Sequence, residues 1–196
     1  IWGVSVSNPR CQFLTKGSHC LHGEQQVSKK KNTKEIDLTL GYTTGGFSIS
    51  VTDYWFNGGP GYFHYGSHNT NHTFEAQIGY DFGPLALNWY TNFAGTDGVN
   101  NEGDRAYSSY ISATVPFTLA GLEWTAEIGA TPWATDFYNY SEDPVCNGSN
   151  GFAVCDISLG AAKEIRITDS FSVPAFAKVT VNPRTEGAYF VFGLSF

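Results

Sequence analysis

The chain has 196 residues and a formal charge of −7, with 11 Lys and Arg against 18 Asp and Glu. This length suits one domain, and the acidic balance excludes a general nucleic-acid binder, which carries a basic surface. Aromatic residues reach 16%, which excludes a disordered chain, and no apolar run approaches the roughly 18 residues of a transmembrane helix.

Apolar and polar residues alternate along most of the chain, and this pattern predicts β-strands with one apolar and one polar face. A weak first strand is predicted at 1–7, where Trp2, Val4 and Val6 share a face, and 8–32 forms a long loop after it. Nine stronger strands are predicted at 34–43, 46–56, 71–82, 84–95, 105–117, 121–132, 153–163, 170–182 and 188–196. No segment has a sustained helical period, so we expect a single all-β domain over residues 1–196.

The connections between these strands alternate in length. Short turns are predicted at 44–45, 83, 118–120 and 164–169, and long polar loops at 8–32, 57–70, 96–104 and 133–152, with a tight return at 183–186. One end of the sheet therefore carries short turns and the other carries the longer loops. The chain has no Met and opens at Ile1, so we expect a trimmed form whose export signal has been removed.

Two architectures produce this pattern: a soluble sandwich or barrel that buries its apolar faces, and a transmembrane barrel that turns them toward lipid. The predicted strands have the length of a tilted membrane-crossing strand. Their polar faces carry small residues with scattered carboxylates, and aromatic residues gather near strand ends. These features favour a closed, antiparallel, up-and-down transmembrane β-barrel of about ten strands.

The end of the chain resembles the C-terminal strand of bacterial outer-membrane proteins. Its residues 189–196 read YFVFGLSF, in which Phe192, Leu194 and the final Phe196 alternate with small or polar residues. The segment 79–87, GYDFGPLAL, is similar to hairpins in small TorF-like porins. This resemblance implies that Phe192, Leu194 and Phe196 form the signal read by the barrel-assembly machinery, and that both termini are periplasmic.

The polar faces supply the candidate lining of the barrel interior. The pore-lining candidates are Glu75, Gln77, Tyr90, Tyr110, Glu123, Glu127 and Lys178. One interpretation is a narrow channel that prefers cations because of its glutamates. The other is a plugged interior in which Lys178 pairs with carboxylates, since a buried charge needs a partner.

Four cysteines form two pairs of equal spacing within turn-rich segments. In an exported protein, proximity favours local disulfides Cys11–Cys20 and Cys146–Cys155. A metal site that includes His19 and His22 is the alternative, but the spacing matches no common zinc pattern. We therefore expect no cofactor and no metal.

Other features test the barrel interpretation. His64, His68 and His72 recur at a spacing of four, and a catalytic pair of His72 with Asp104 is conceivable, although no motif supports an enzyme. Pro116 and Pro174 fall inside predicted strands. Proline removes a backbone donor from the sheet, so we expect a bulge or a strand end at each.

The sequence thus predicts an integral outer-membrane β-barrel of Gram-negative bacteria, without enzyme activity. It acts as a porin-like narrow channel or as a structural or accessory subunit of an outer-membrane complex. Its expected partners are outer-membrane lipid, lipopolysaccharide, the barrel-assembly machinery and other outer-membrane proteins. A barrel enzyme acting on lipid or peptide, and a soluble secreted β-sandwich or binding module with disulfides, are the alternatives.

Overall fold

The computed structural model describes residues 2–7 by their backbone alone, and residues 35–66, 69–138, 151–169 and 171–194 with their side chains. Every element in these ranges is a β-strand. In chain order the strands are β1 (Trp2–Ser7), β2 (Glu35–Thr44), β3 (Phe47–Phe56), β4 (His72–Asp81), β5 (Ala86–Gly95), β6 (Ser109–Leu119), β7 (Leu122–Thr131), β8 (Ala153–Thr168), β9 (Phe171–Asn182) and β10 (Gly187–Leu194).

The strands form one ten-stranded sheet in which each strand pairs with its neighbours in chain order. Every pairing is antiparallel. The predicted all-β, up-and-down architecture is therefore confirmed. No pairing joins β10 to β1 within the described residues, so the sheet has two edges. At the β10 edge, the inner-face residue Tyr189 is 45% exposed.

Two predicted strand boundaries are wrong. The strand expected from residue 105 begins at Ser109. Arg105 and Ala106 pair with the loop at 98–99, and one backbone bond, from Asn92 N–H to the Ser108 carbonyl, joins this segment to β5. The turn expected at 164–169 is largely strand, because β8 runs for 16 residues to Thr168 and pairs with β9 as far as Phe171.

The prediction of a bulge or strand end at the two prolines is also wrong. Pro116 lies inside β6 in regular register with Thr125, and Pro174 lies inside β9 opposite Glu164. Each proline stands beyond the last described partner on its other side: β5 ends opposite Thr114, and β10 ends opposite Ala175. A missing N–H is tolerated at such a one-sided position.

The polarity of the sheet is the reverse of a soluble protein's. Polar residues are buried on its inner face, including Thr52, Ser112, Ser158 and Thr180, each less than 9% exposed. Only four hydrophobic residues are buried among those described, and they are Ala106, Ala130, Cys155 and Val173. The large apolar side chains lie outside, with Leu40 at 53% and Phe192 at 75% exposure.

The register drifts steadily across the sheet. This drift can be followed along a row of directly paired residues that runs across the sheet from strand to strand. The row starts at Tyr42, two residues from the turn end of β2, and passes through Ile78 and Trp89. It reaches Val154, one residue from the loop end of β8. The strands are therefore strongly staggered, as tilted strands of a curled sheet must be.

Candidate functional site: the polar cavity inside the sheet

Curvature of the sheet brings the polar faces of β3 through β9 around one open cavity of about 680 Å³. Six of the seven residues predicted to line a pore border this cavity, namely Glu75, Tyr90, Tyr110, Glu123, Glu127 and Lys178. The seventh, Gln77, lies on the same face and donates to Asn88, which borders the cavity, at 3.1 Å. Gln77 also bonds to Ser48 and Ser50, which fixes its amide against the wall.

At the loop end, Glu75 is held by two tyrosine hydroxyls. Tyr54, on the neighbouring strand, donates to Oε1 at 3.2 Å, and Tyr138, from the segment after β7, donates to Oε2 at 3.1 Å. Glu75 is only 9% exposed, and these two donors compensate the burial of its carboxyl group. Burial, and then the Glu75 carboxylate, raise the pKa of Tyr138, so its hydroxyl stays neutral and continues to donate.

A second glutamate lies on the opposite wall. Tyr110 donates to Oε1 of Glu127 at 3.2 Å, and its ring lies 6.0 Å from that of Tyr90 and 5.7 Å from that of Tyr138. The Tyr110 ring crosses directly over Gly129, where even one added carbon would lie 2.6 Å from its Cε2. The tyrosines and glutamates together narrow the loop end of the cavity, and we call them the tyrosine–glutamate cluster: Tyr54, Glu75, Tyr90, Tyr110, Glu127 and Tyr138.

Two charged side chains, one beside the turn before β7 and one in the middle of β9, have no partner within the part of the chain that the structure describes. Glu123 of β7 and Lys178 of β9 both border the cavity, but neither makes an ion pair or a side-chain hydrogen bond there. The pairing of Lys178 with a carboxylate, considered from the sequence, is therefore not seen among the described residues. The cavity carries four carboxylates, including Asp156, against one lysine, a formal charge of −3 by subtraction.

Two loop segments meet above the cavity, and we call residues 96–108 and 132–138 the loop cap. The backbone amide of Val99 donates to Oδ1 of Asp136 at 2.7 Å, and Asp136 N donates to the Val99 carbonyl at 3.1 Å. Ser108 and Thr135, both fully buried, share a hydrogen bond of 2.6 Å. These bonds fix the segment that carries Tyr138 into the cavity.

The loop between β3 and β4 covers a buried ion pair on the outer face. His72 is fully buried, with Nδ1 at 2.6 Å from Oδ1 of Asp53 and Nε2 at 2.6 Å from the carbonyl oxygen of Tyr62. Tyr65 stacks on the imidazole at 4.1 Å between ring centroids. Both ring nitrogens are occupied, so His72 offers none to activate a nucleophile, and its carboxylate partner is Asp53 instead of the Asp104 considered from the sequence.

The predicted disulfide between Cys146 and Cys155 is not found, because Cys155 is a free, buried thiol. A register shift beside Gly129 places Cys155 among the residues that line the cavity, together with the adjacent Asp156. Cys11, Cys20 and Cys146 lie outside the described residues, as does Phe196. Phe192 and Leu194 of the predicted assembly signal are exposed on β10, and nothing in the structure tests recognition of that signal.

Sequence reasoning missed three contributors to this region. The position of Tyr54 in the alternation of β3 assigns it to the inner face, so the sequence did contain a signal for including it. Tyr138 lies in a loop, which has no periodic pattern. Asp53 interrupts an otherwise apolar strand face, and this unfavourable position was the one sign of its role in the sequence.

Among the described residues, no group of three or more His, Cys, Asp or Glu side chains is arranged to hold a metal ion. Those residues also include no helix of the length and apolarity needed to cross a membrane. Comparison of the chain with protein-family models, with curated proteins and with solved structures found no match.

Proposed function

We propose that the chain is an outer-membrane β-barrel of a Gram-negative bacterium, and that it works as a narrow channel preferring small cations. The observation that carries the proposal is the reversed polarity of the sheet. Polar side chains are buried inside, while 34 large hydrophobic side chains of the described residues are exposed, most of them on the outer face of the sheet and the others in loops or on the inner face of β10. A soluble monomer exposes apolar patches of only a few hundred Å², so a hydrocarbon solvent is the natural environment for this surface.

Strand length supports the same environment. Five strands have 10 residues each, which corresponds to about 34 Å of extended chain. At a tilt of about 45°, such a strand rises about 24 Å, close to the apolar band of about 25 Å in outer-membrane barrels. The loops at one end and short turns at the other follow the arrangement of that class, with both termini at the periplasmic side.

In this proposal β1 and β10 pair to close the barrel. Each is a sheet edge with unpaired backbone groups, and unpaired groups cost several kcal/mol apiece in hydrocarbon. The steady register drift supports closure, because a barrel requires staggered, tilted strands.

The first experiment asks whether the chain folds as a barrel in lipid. Protein refolded in detergent or vesicles is run on a denaturing gel with and without heating, together with circular dichroism. We expect a faster band without heating and a β-rich spectrum. A chain that folds and remains monodisperse without detergent would contradict the membrane assignment.

The cavity supports a channel because acidic groups outnumber basic ones by four to one along its wall. Clefts lined by one sign of charge concentrate counter-ions, and carboxylates favour cations in pores. The tyrosine–glutamate cluster narrows the passage at the loop end, so we expect a small conductance.

Planar-bilayer recording in unequal salt concentrations tests the channel. Wild-type protein should give a reversal potential of the cation-selective sign, and the double variant Glu123→Gln/Glu127→Gln should move it toward zero. Glu102→Gln is the matched control, since Glu102 is exposed in the loop cap and outside the cavity. Silent bilayers at a protein density that gives the gel shift would refute the channel and leave a structural or accessory role.

A further inference from the structure

The two unpartnered charges that border the cavity have opposite signs. Glu123 and Lys178 border the same space without meeting each other, since no ion pair within 4.0 Å joins them in the described part of the chain. Glu123 is exposed to the open cavity and Lys178 is half-buried beside it, and each charge gains from an opposite partner. The geometry leaves a place for that partner between the two side chains.

The register fixes how far apart these side chains start. Glu123 is opposite Ala162, which is opposite Phe176, and Lys178 is two residues further along β9. The two residues are therefore separated by two strand spacings, roughly 10 Å, and by two residues along the strand, roughly 7 Å. Side chains as long as glutamate and lysine shorten this distance, so that one small molecule spans the remainder.

The wall between them is built from small residues. Gly160 pairs with both Thr125 and Lys178, and Ala162 stands beside Glu123. An added side-chain carbon at Gly160 would have its nearest neighbours at 3.8 Å, with the Lys178 stem at 4.0 Å. The small size of Gly160 and Ala162 leaves space for a ligand along this stretch of β8.

We propose that this part of the cavity binds a small zwitterion, a molecule that carries both an ammonium and a carboxylate group, such as a free amino acid. The carboxylate pairs with Lys178 and the ammonium with Glu123. The proposal deepens the channel function, and its physiological meaning rests on that function. The binding test below does not depend on the channel.

The charge of the cavity decides between ligand classes. A simple anion finds Lys178 but meets a formal charge of −3 around it, so repulsion disfavours it. A simple cation is attracted but leaves Lys178 unsatisfied. A zwitterion satisfies both side chains without adding net charge.

The test measures binding of glycine, acetate and methylammonium to the full chain in detergent, by ligand-observed NMR titration. Wild-type protein should bind glycine more tightly than either singly charged probe. Lys178→Gln and Glu123→Gln should each weaken glycine binding about tenfold or more, the effect of losing one hydrogen bond to a charged group. Gly160→Leu should also reduce it, by filling the space.

Matched controls are Lys163→Gln and Glu102→Gln, which make the same charge changes outside the cavity; both should retain wild-type affinity. Heat-dependent gel shifts establish that each variant folds. Equal glycine binding by wild type and Lys178→Gln, or preference for acetate or methylammonium, would overturn the proposal. A conducting protein that does not bind glycine refutes this inference alone, whereas a silent protein that binds glycine refutes the channel alone.

Discussion

Replacing Gly129 by alanine tests whether the cavity wall is organised as described. The new Cβ would lie 2.6 Å from Cε2 of Tyr110 and closer still to Cζ and Oη. Real Cβ contacts essentially never fall below 3.0 Å, so the ring must leave its place over β7. It would then lose its hydrogen bond to Glu127 and its contact with Tyr138.

The expected cost follows from a matched comparison with Gly160→Ala. Both glycines lie on inner strand faces, and an added carbon at Gly160 meets nothing closer than 3.8 Å. Alanine lowers the entropy of the unfolded chain in both variants, by about 0.4–1 kcal/mol, and this contribution cancels between them. Displacing the ring and losing its hydrogen bond to Glu127 costs about 1–3 kcal/mol, so Gly129→Ala should be less stable than Gly160→Ala by that amount.

The free energy of unfolding is measured by urea titration in lipid vesicles, followed by tryptophan fluorescence. In a Tyr110→Ala background the ring is gone, and the penalty at Gly129 should largely disappear, which a double-mutant cycle quantifies. Equal stabilities of the two alanine variants, or a penalty that persists without the ring, would refute the proposed packing of Tyr110 over Gly129.

Four further predictions concern the loops and the free thiol. Tyr138→Ala removes a side chain that narrows the loop end and should raise unitary conductance relative to Tyr138→Phe; equal conductances would show that the ring does not restrict the passage. Burial and Glu75 raise the pKa of Tyr138 in the folded protein. The contribution of Tyr138 to stability should therefore be complete below the unfolded tyrosine pKa of about 10 and decline above it. In alkaline urea titrations, wild type should lose more stability than Tyr138→Phe. His72→Ala leaves Asp53 buried without its imidazole partner, which should lower the free energy of unfolding by about 3–5 kcal/mol. The variant should also expose 57–71 to limited proteolysis, whereas His64→Ala should not. Cys155 should resist alkylation in the folded protein and react after denaturation, with the labelled peptide identified by mass spectrometry.

The sequence by itself determined the strands and their polarity. Alternation with period two is a local property of a strand, so Glu123, Glu127 and Lys178 could be assigned to one face without knowledge of their neighbours. The boundary error at residues 105–108 has the same origin: they alternate like a strand, but Arg105 and Ala106 pair with the loop at 98–99, and a single backbone bond from Asn92 to Ser108 joins the segment to β5. Cysteine spacing suggested a Cys146–Cys155 bond, whereas Cys155 is a free, buried thiol that the register shift beside Gly129 places at the cavity.

Only the tertiary structure decided which groups meet. Tyr138 reaches Glu75 across 63 residues of sequence, and His72 reaches Asp53 across 19. Such pairs depend on register, on sheet curvature and on the path of loops, none of which has a periodic signal in the chain. Alternation assigns a side chain to one face of the sheet. The partner that compensates its burial comes from whichever strand or loop the fold brings beside it, as Tyr138 is brought beside Glu75.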